Sequence, residues 1–328
     1  ILSLKSTFFI ISALFLAIFG QAQTEPAPKP FITTWQTTSD NETVTIPTTG
    51  GGYSYSVNWG ENEPADNNTY TEDALHNYMT PGTHTITISG TFPRIFFSGN
   101  STSAQQIRSI LQWGDNPWTS MNNAFKGCDN LTIAADAGVP DLSNVTNMSR
   151  MFWGSSFTGD ISKWDVSSMT DMSYMFNSSP FNGNLSEWNV SGVSNMQSVF
   201  GSSAFNQDIS TWDISSVTNM KFMFLDNTSM SSENYDKLLI GWSTLDKAAG
   251  ETKIPSGIIF LAPDKYSCRG KAGRDKLTDT HSWTITGDEL IPIRTEATAL
   301  SEVTAQCEVT ANDLTAPTAK NKCDGTGT

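Results

Sequence analysis

The sequence predicts an α/β solenoid of about five coils, each of about 24 residues, preceded by a small antiparallel β domain. Three observations carry this expectation. Trp164, Trp188 and Trp212 stand 24 residues apart, and the same step links Met148, Met172, Met196 and Met220 as well as Phe152, Phe176, Phe200 and Phe224. Within one period, apolar residues alternate at Trp164 and Val166 and then recur at helical spacing through Met169, Met172, Met175 and Phe176. Upstream, residues 31–98 alternate Thr, Val, Ile and Tyr with polar residues between Gly and Pro turns.

The first element is not part of the fold. Lys5 precedes the apolar run Phe8 to Phe19, which ends in Gly20-Gln21-Ala22. A short apolar core followed by a small-x-small site reads as a secretory signal over 1–22, with 23–30 as a linker. No later segment approaches about 18 uninterrupted apolar residues, so no membrane anchor is expected after the signal is removed. Export would permit disulfides. Of the three pairings open to the four cysteines, Cys307 with Cys323 is favoured by proximity, leaving Cys128 and Cys268 as buried thiols. The formal charge of −14 lacks the basic face a nucleic-acid binder needs.

Residues 31–98 then read as antiparallel strands. The solenoid is expected over 99–232. Ile161-x-x-Trp164-x-Val166 has the spacing of a leucine-rich-type coil, in which Trp164 and Val166 would form a short strand. Met169 to Phe176 would return as a short helix or 3₁₀ turn, with Thr146, Thr170, Ser194 and Thr218 as N-caps. The Trp, Met and Phe columns become core ladders. Ile110, Trp113, Trp118, Met121 and Phe125 repeat the pattern upstream with a three-residue insertion. Residues 233–290 would cap the last coil.

The repeat resembles the BspA-type leucine-rich repeat of bacterial surface proteins, also known as the mycoplasma-type lipoprotein repeat. "VFGSSAFNQDISTWDISSVTNM" (Val199 to Met220) carries that unit almost in full, and the likeness runs from about Ile95 to Glu289. It implies a secreted or cell-surface protein, and some relatives act as adhesins. Val57-Asn58-Trp59-Gly60 with Thr80 to Thr87 is similar to a PKD-type β-sandwich. "TAQCEVTANDLTAPTAKNKCDGTGT", within 291–328, is similar to the opening of an HYR-type immunoglobulin-like domain.

No catalytic residue is expected, because no G-x-S-x-G, G-K-[ST] or H-E-x-x-H occurs. The function expected is non-catalytic adhesion to an extracellular protein or glycan. A structural spacer, or a glycan-binding or glycan-degrading component, is the alternative. On a leucine-rich template the outward strand positions would carry the ligand: Lys163 and Asp165, Glu187 and Asn189, Thr211 and Asp213. Tyr174 and Phe222 stand as aromatic candidates on the return side, equally readable as core. No cofactor is expected. Asp160 and Asp208, in a column broken by Asn184, read either as a hydrogen-bonded ladder or as ligands of an inter-coil calcium ion.

Overall fold

A computed structural model describes residues 27–97, 101–227, 229–245, 254–263 and 265–291. The signal and the Cys307/Cys323 pair therefore lie outside the described residues. Alternation dictates the N-terminal layer. Strand β1 (Phe31–Thr37) buries every second residue, and β3 (Ser54–Asn58) and β5 (Gly82–Thr91) do so in part. With β6 (Ile107–Gln112) and β7 (Thr132–Ile133) they form one sheet in the order β3-β5-β1-β6-β7. β1 runs antiparallel to both β5 and β6, and β6 is parallel to β7. The sheet thus continues from the N-terminal β segment into the first repeat copy. A separate antiparallel pair, β2 (Glu42–Ile46) with β4 (Ala74–Tyr78), adds Val44, Ile46 and Tyr78 to the same core.

Glu42 closes the turn between β1 and β2. Its Oε2 accepts the amides of Thr38 at 2.6 Å and Ser39 at 3.0 Å, and its Oε1 accepts from Gln106 Nε2 at 2.8 Å. These bonds, the Thr38 amide foremost, hold its carboxyl down to about 2 from an ordinary 4.5. A carboxyl depressed by folding adds stability that is whole above its unfolded value and fades as pH falls toward its folded value. Glu42→Gln is therefore expected to lower the melting temperature at neutral pH and to shrink the loss between about pH 4.5 and 2. Identical acid limbs for variant and wild type, followed by circular dichroism, would refute this role.

The repeat does not build the expected α/β solenoid. Among the described residues between 134 and 231 there is no helix and no strand, only four single bridge positions. Among the described residues helix is confined to α1 (Ser101–Gln106), α2 (Ser232–Trp242), α3 (Cys268–Asp275) and a π-helical turn at Lys276–Thr280, and the strands form several small sheets. Trp164 and Val166 are buried but extended outside any ladder, and Met169 to Phe176 run as turns. Thr146, Thr170, Ser194 and Thr218 cap no helix. The amides and hydroxyls of Thr170, Ser194 and Thr218 donate instead to the equivalent carbonyl one copy back, as Thr170 does to Thr146 at 2.9 and 3.1 Å.

The physical reason is local. Arg150, Tyr174, Ser198 and Phe222 hold φ of 59°, 59°, 52° and 63°, and Gly154, Ser178, Ser202 and Asp226 repeat this four residues later. A left-handed residue at every fourth position breaks a helix. Only alternate amides bond within the copy, as Met175 does to the Met172 carbonyl and Asn177 to that of Tyr174. The others, at 172, 174, 176 and 178, donate to the next copy's 195, 197, 199 and 201 carbonyls. Successive three-residue turns still place Met172, Met175 and Phe176 on the inside, which is why the spacing looked helical.

Inside this turn stack the Phe column is nearly parallel. Centroids of Phe125, Phe152, Phe176, Phe200 and Phe224 follow one another at 6.0, 5.8, 5.9 and 5.6 Å. The Trp188 and Trp212 indoles donate to the Ile161 and Leu185 carbonyls of the preceding copy. Trp113 joins this core to the sheet, meeting Phe31 at 5.8 Å and Trp164 at 5.4 Å.

Past the last copy, Ser231 caps α2 by accepting from the Asn234 amide. Parallel pairs β8 (Ile259–Leu261) with β10 (Thr284–Thr286) and β9 (Lys265–Tyr266) with β11 (Glu289–Leu290) flank α3. α3 lies so close on α2 that a Cβ at Gly273 would stand 2.6 Å from the Leu239 carbonyl oxygen. Cys128 and Cys268 are both buried.

Candidate functional site

The outward positions expected to bind a ligand are largely occupied by the backbone. Asp165, Asn189 and Asp213 each accept the amide two residues ahead, at 3.0, 3.2 and 3.0 Å from Ser167, Ser191 and Ser215. Thr211 Oγ1 donates to the Ser186 carbonyl at 3.0 Å. Only Lys163 and Glu187 extend from this face as exposed charges with no hydrogen-bond or ion-pair partner within it. A short polar side chain that closes its own turn in this way is a local alternative to a sheet ladder.

The same chemistry accounts for the carboxylate column. Asp160, Asn184 and Asp208 accept the amides of Ser162, Ser186 and Ser210 at 2.9, 2.9 and 3.0 Å. The Ser162 amide holds the Asp160 carboxyl below the usual range, and the hydroxyl of Ser167 does the same for Asp165. Asp160 and Asp208 are two copies apart with Asn184 between them. Among the described residues no group of three or more His, Cys, Asp or Glu is placed to hold a metal. A third, half-buried column runs the length of the stack. Asn195 Nδ2 donates to Asp171 Oδ1, and Asn219 Nδ2 to Asn195 Oδ1, both at 3.1 Å. Such amide ladders stabilise stacked copies.

A different surface emerges on the turn side. Of the left-handed positions, Arg150, Tyr174 and Phe222 are half-buried, while Ser198, between Tyr174 and Phe222 in the column, is buried. Trp153 lies beside Tyr174, the ring centres 5.7 Å and the planes 30° apart. The Arg150 guanidinium sits 5.0 Å from the Tyr174 ring and 5.7 Å from Trp153. Lys126 Nζ caps Trp153 at 4.4 Å, and Lys221 Nζ stands 4.8 Å from Phe222. Gln197 Nε2 fixes the Tyr174 hydroxyl at 2.8 Å. Cations over aromatic faces are attracted by the ring quadrupole, which holds all these side chains in place before any ligand arrives.

Sequence reading named Tyr174 and Phe222 but missed Trp153, Arg150 and Lys126. One signal was available. Trp153 stands outside the 164/188/212 column, and the next copies have Asn177, Gly201 and Leu225 at its position. An aromatic that departs from its own repeat is not required by the repeat's core.

Residues 119–237 match the family described as "Mycoplasma protein of unknown function, DUF285". That family is related to BspA-like repeat surface proteins. The DUF285 segment spans the turn stack and most of α2, and so contains both the outward Asx positions and the Trp153–Tyr174 surface. It does not reach residues 31–98 or 291–328, and no PKD or HYR domain is found there. No curated protein and no solved structure matches the chain. Among the described residues no helix is long and apolar enough to cross a membrane.

Proposed function

We propose that this is an extracellular, non-catalytic interaction protein that holds its ligand on the turn side of the repeat. The observation supporting this is the preorganised group Lys126, Arg150, Trp153 and Tyr174, half-buried and locked by cation–π contacts. Trp, Tyr and Arg dominate the energetics of binding surfaces, and rings already ordered lose little entropy when a ligand settles on them. The opposite face offers hydroxyls and carboxylates spent on turn closure.

The test is a screen of the chain against immobilised matrix proteins, serum proteins and glycans. Trp153→Ala with Tyr174→Ala is expected to weaken a saturable interaction by about tenfold or more, as loss of two central aromatics does. Lys163→Ser with Glu187→Ser is expected to leave it within about twofold, since exposed rim charges contribute little. Loss in the second variant and retention in the first would return the site to the other face.

A further inference from the structure

We infer that the ligand of this surface is an acidic polysaccharide, laid along the stack with sugar faces on Trp153 and Tyr174 and its anionic groups beside Arg150 and Lys126. The inference rests on the turn-side reading and adds the chemistry of the partner.

Charge comes first. The chain carries −14 overall, yet Lys126, Arg150 and Lys221 gather on one side, and none has a carboxylate within 4.0 Å among the described residues. Acids in these copies are bonded elsewhere or displaced. Asp171 Oδ1 accepts both the Ser173 amide and Asn195 Nδ2, and Asp129 accepts Gln105 Nε2. Asp226 stands exposed at the far end of the last copy. Cations left without counter-charges in an acidic protein match an anionic partner.

The neighbouring groups narrow the partner further. Gln197 bonds the Tyr174 hydroxyl, and the copy after Trp153 has Asn177 at its position. The exposed large aliphatic residues, such as Leu75, Met79 and Val139, lie elsewhere in the chain. A protein-binding core would bring apolar neighbours that exclude water. A pyranose ring instead has a face of C–H bonds that lies on an aromatic ring and a rim of hydroxyls that suits side-chain amides. Nucleic acid also combines stacking with phosphate contacts. Duplex nucleic acid carries one charge per about 1.7 Å, and so dense a polyanion would be repelled by the rest of this acidic chain, whereas a uronate polysaccharide such as hyaluronan carries one charge per disaccharide.

The experiment uses the full chain and purified probes: polygalacturonate, hyaluronan and heparin as acidic polysaccharides, dextran and a cellulose oligosaccharide as neutral ones, poly-glutamate, and a single-stranded oligonucleotide. At least one acidic polysaccharide should bind saturably, the neutral chains should not, and poly-glutamate and the oligonucleotide should not compete. Lys126→Gln with Arg150→Gln should weaken binding about tenfold or more with an unchanged melting curve. Trp153→Ala should do likewise, and Trp153→Phe should restore most of it. Salt near 1 M, where screening acts within about 3 Å, should weaken binding as well.

Equal, Trp153-dependent binding of neutral glycans would keep the surface and overturn the acidic ligand. Effective competition by poly-glutamate or the oligonucleotide would overturn it in favour of a general polyanion site. Binding by no acidic polysaccharide would also overturn it. Should a protein ligand from the screen above then depend on Trp153, the turn-side surface would still stand. Acidic-glycan binding indifferent to Trp153, Tyr174, Lys126 and Arg150 would overturn both readings.

Discussion

Phe200→Ala should destabilise the protein by about 3–5 kcal/mol, the range for emptying a large buried aromatic site. Phe200 is fully buried. It stacks on Phe176 at 5.9 Å with planes 2° apart, on Phe224 at 5.6 Å and on Phe205 at 3.8 Å. Its neighbours cannot close in, because each copy is held by backbone bonds to the next: Phe176 donates to the Val199 carbonyl and Phe200 to that of Met223. A rigid frame leaves the cavity open and keeps the cost near the top of the range. The measurement is urea unfolding followed by tryptophan fluorescence. A loss below about 1 kcal/mol would mean that the stack relaxes freely and that the ring column is not what holds the copies together. Tyr174→Ala, on the surface of the same stack, serves as the control and should cost much less.

Arg274→Ala should also cost about 3–5 kcal/mol, for an electrostatic reason. Arg274 Nε donates to Asp288 Oδ2 at 2.7 Å and its NH2 group to Oδ1 at 2.8 Å, while the Tyr235 hydroxyl donates to Oδ2 at 2.9 Å. The Asp288 side chain is 1% exposed. Removing the guanidinium leaves a carboxylate with no compensating charge in a dry site, where its desolvation is no longer offset. The burial that isolates Asp288 also drives the Tyr235 phenol well above its usual range, so Tyr235 stays a donor at neutral pH. Arg274→Ala combined with Asp288→Asn should therefore recover part of the loss, because the second change removes the stranded charge. Simple additivity of the two single losses in a double-mutant cycle would show that the pair is not coupled and that the argument fails.

Much of this could be read from residues before any coordinates. Trp164, Trp188 and Trp212, the Met column and the Phe column are all buried, and the family match from 119 to 237 falls on the segment whose repeat is plainest. What misled was the likeness between two kinds of apolar spacing. A chain of overlapping three-residue turns and a helix both bring residues three and four apart to one side, so Met169, Met172, Met175 and Phe176 do not distinguish them. The decisive feature, a left-handed backbone at 150, 174, 198 and 222, falls on Arg, Tyr, Ser and Phe, which give no warning of it. Glycine at such a position, as at Gly154, would have. The bonding of the outward acids was hidden for a related reason. A polar side chain beside a serine two residues on looks free in one dimension, and only the folded turn shows Asp165 closing on the Ser167 amide.

The sequence by itself determined the period of the repeat and the identity of its interior, because burying an aromatic every 24 residues is a one-dimensional instruction. It also determined the acidity of the surface and the polar columns that flank the core. Only the tertiary structure decided that the copies join by alternate amides rather than by strands and helices, since each such bond needs a partner 23 to 26 residues away. It alone brought Lys126, Arg150, Trp153 and Tyr174 together, from two adjoining turns and the one before them. Contacts between copies depend on how far each turn rises, and that rise follows from the backbone bonds that join one copy to the next.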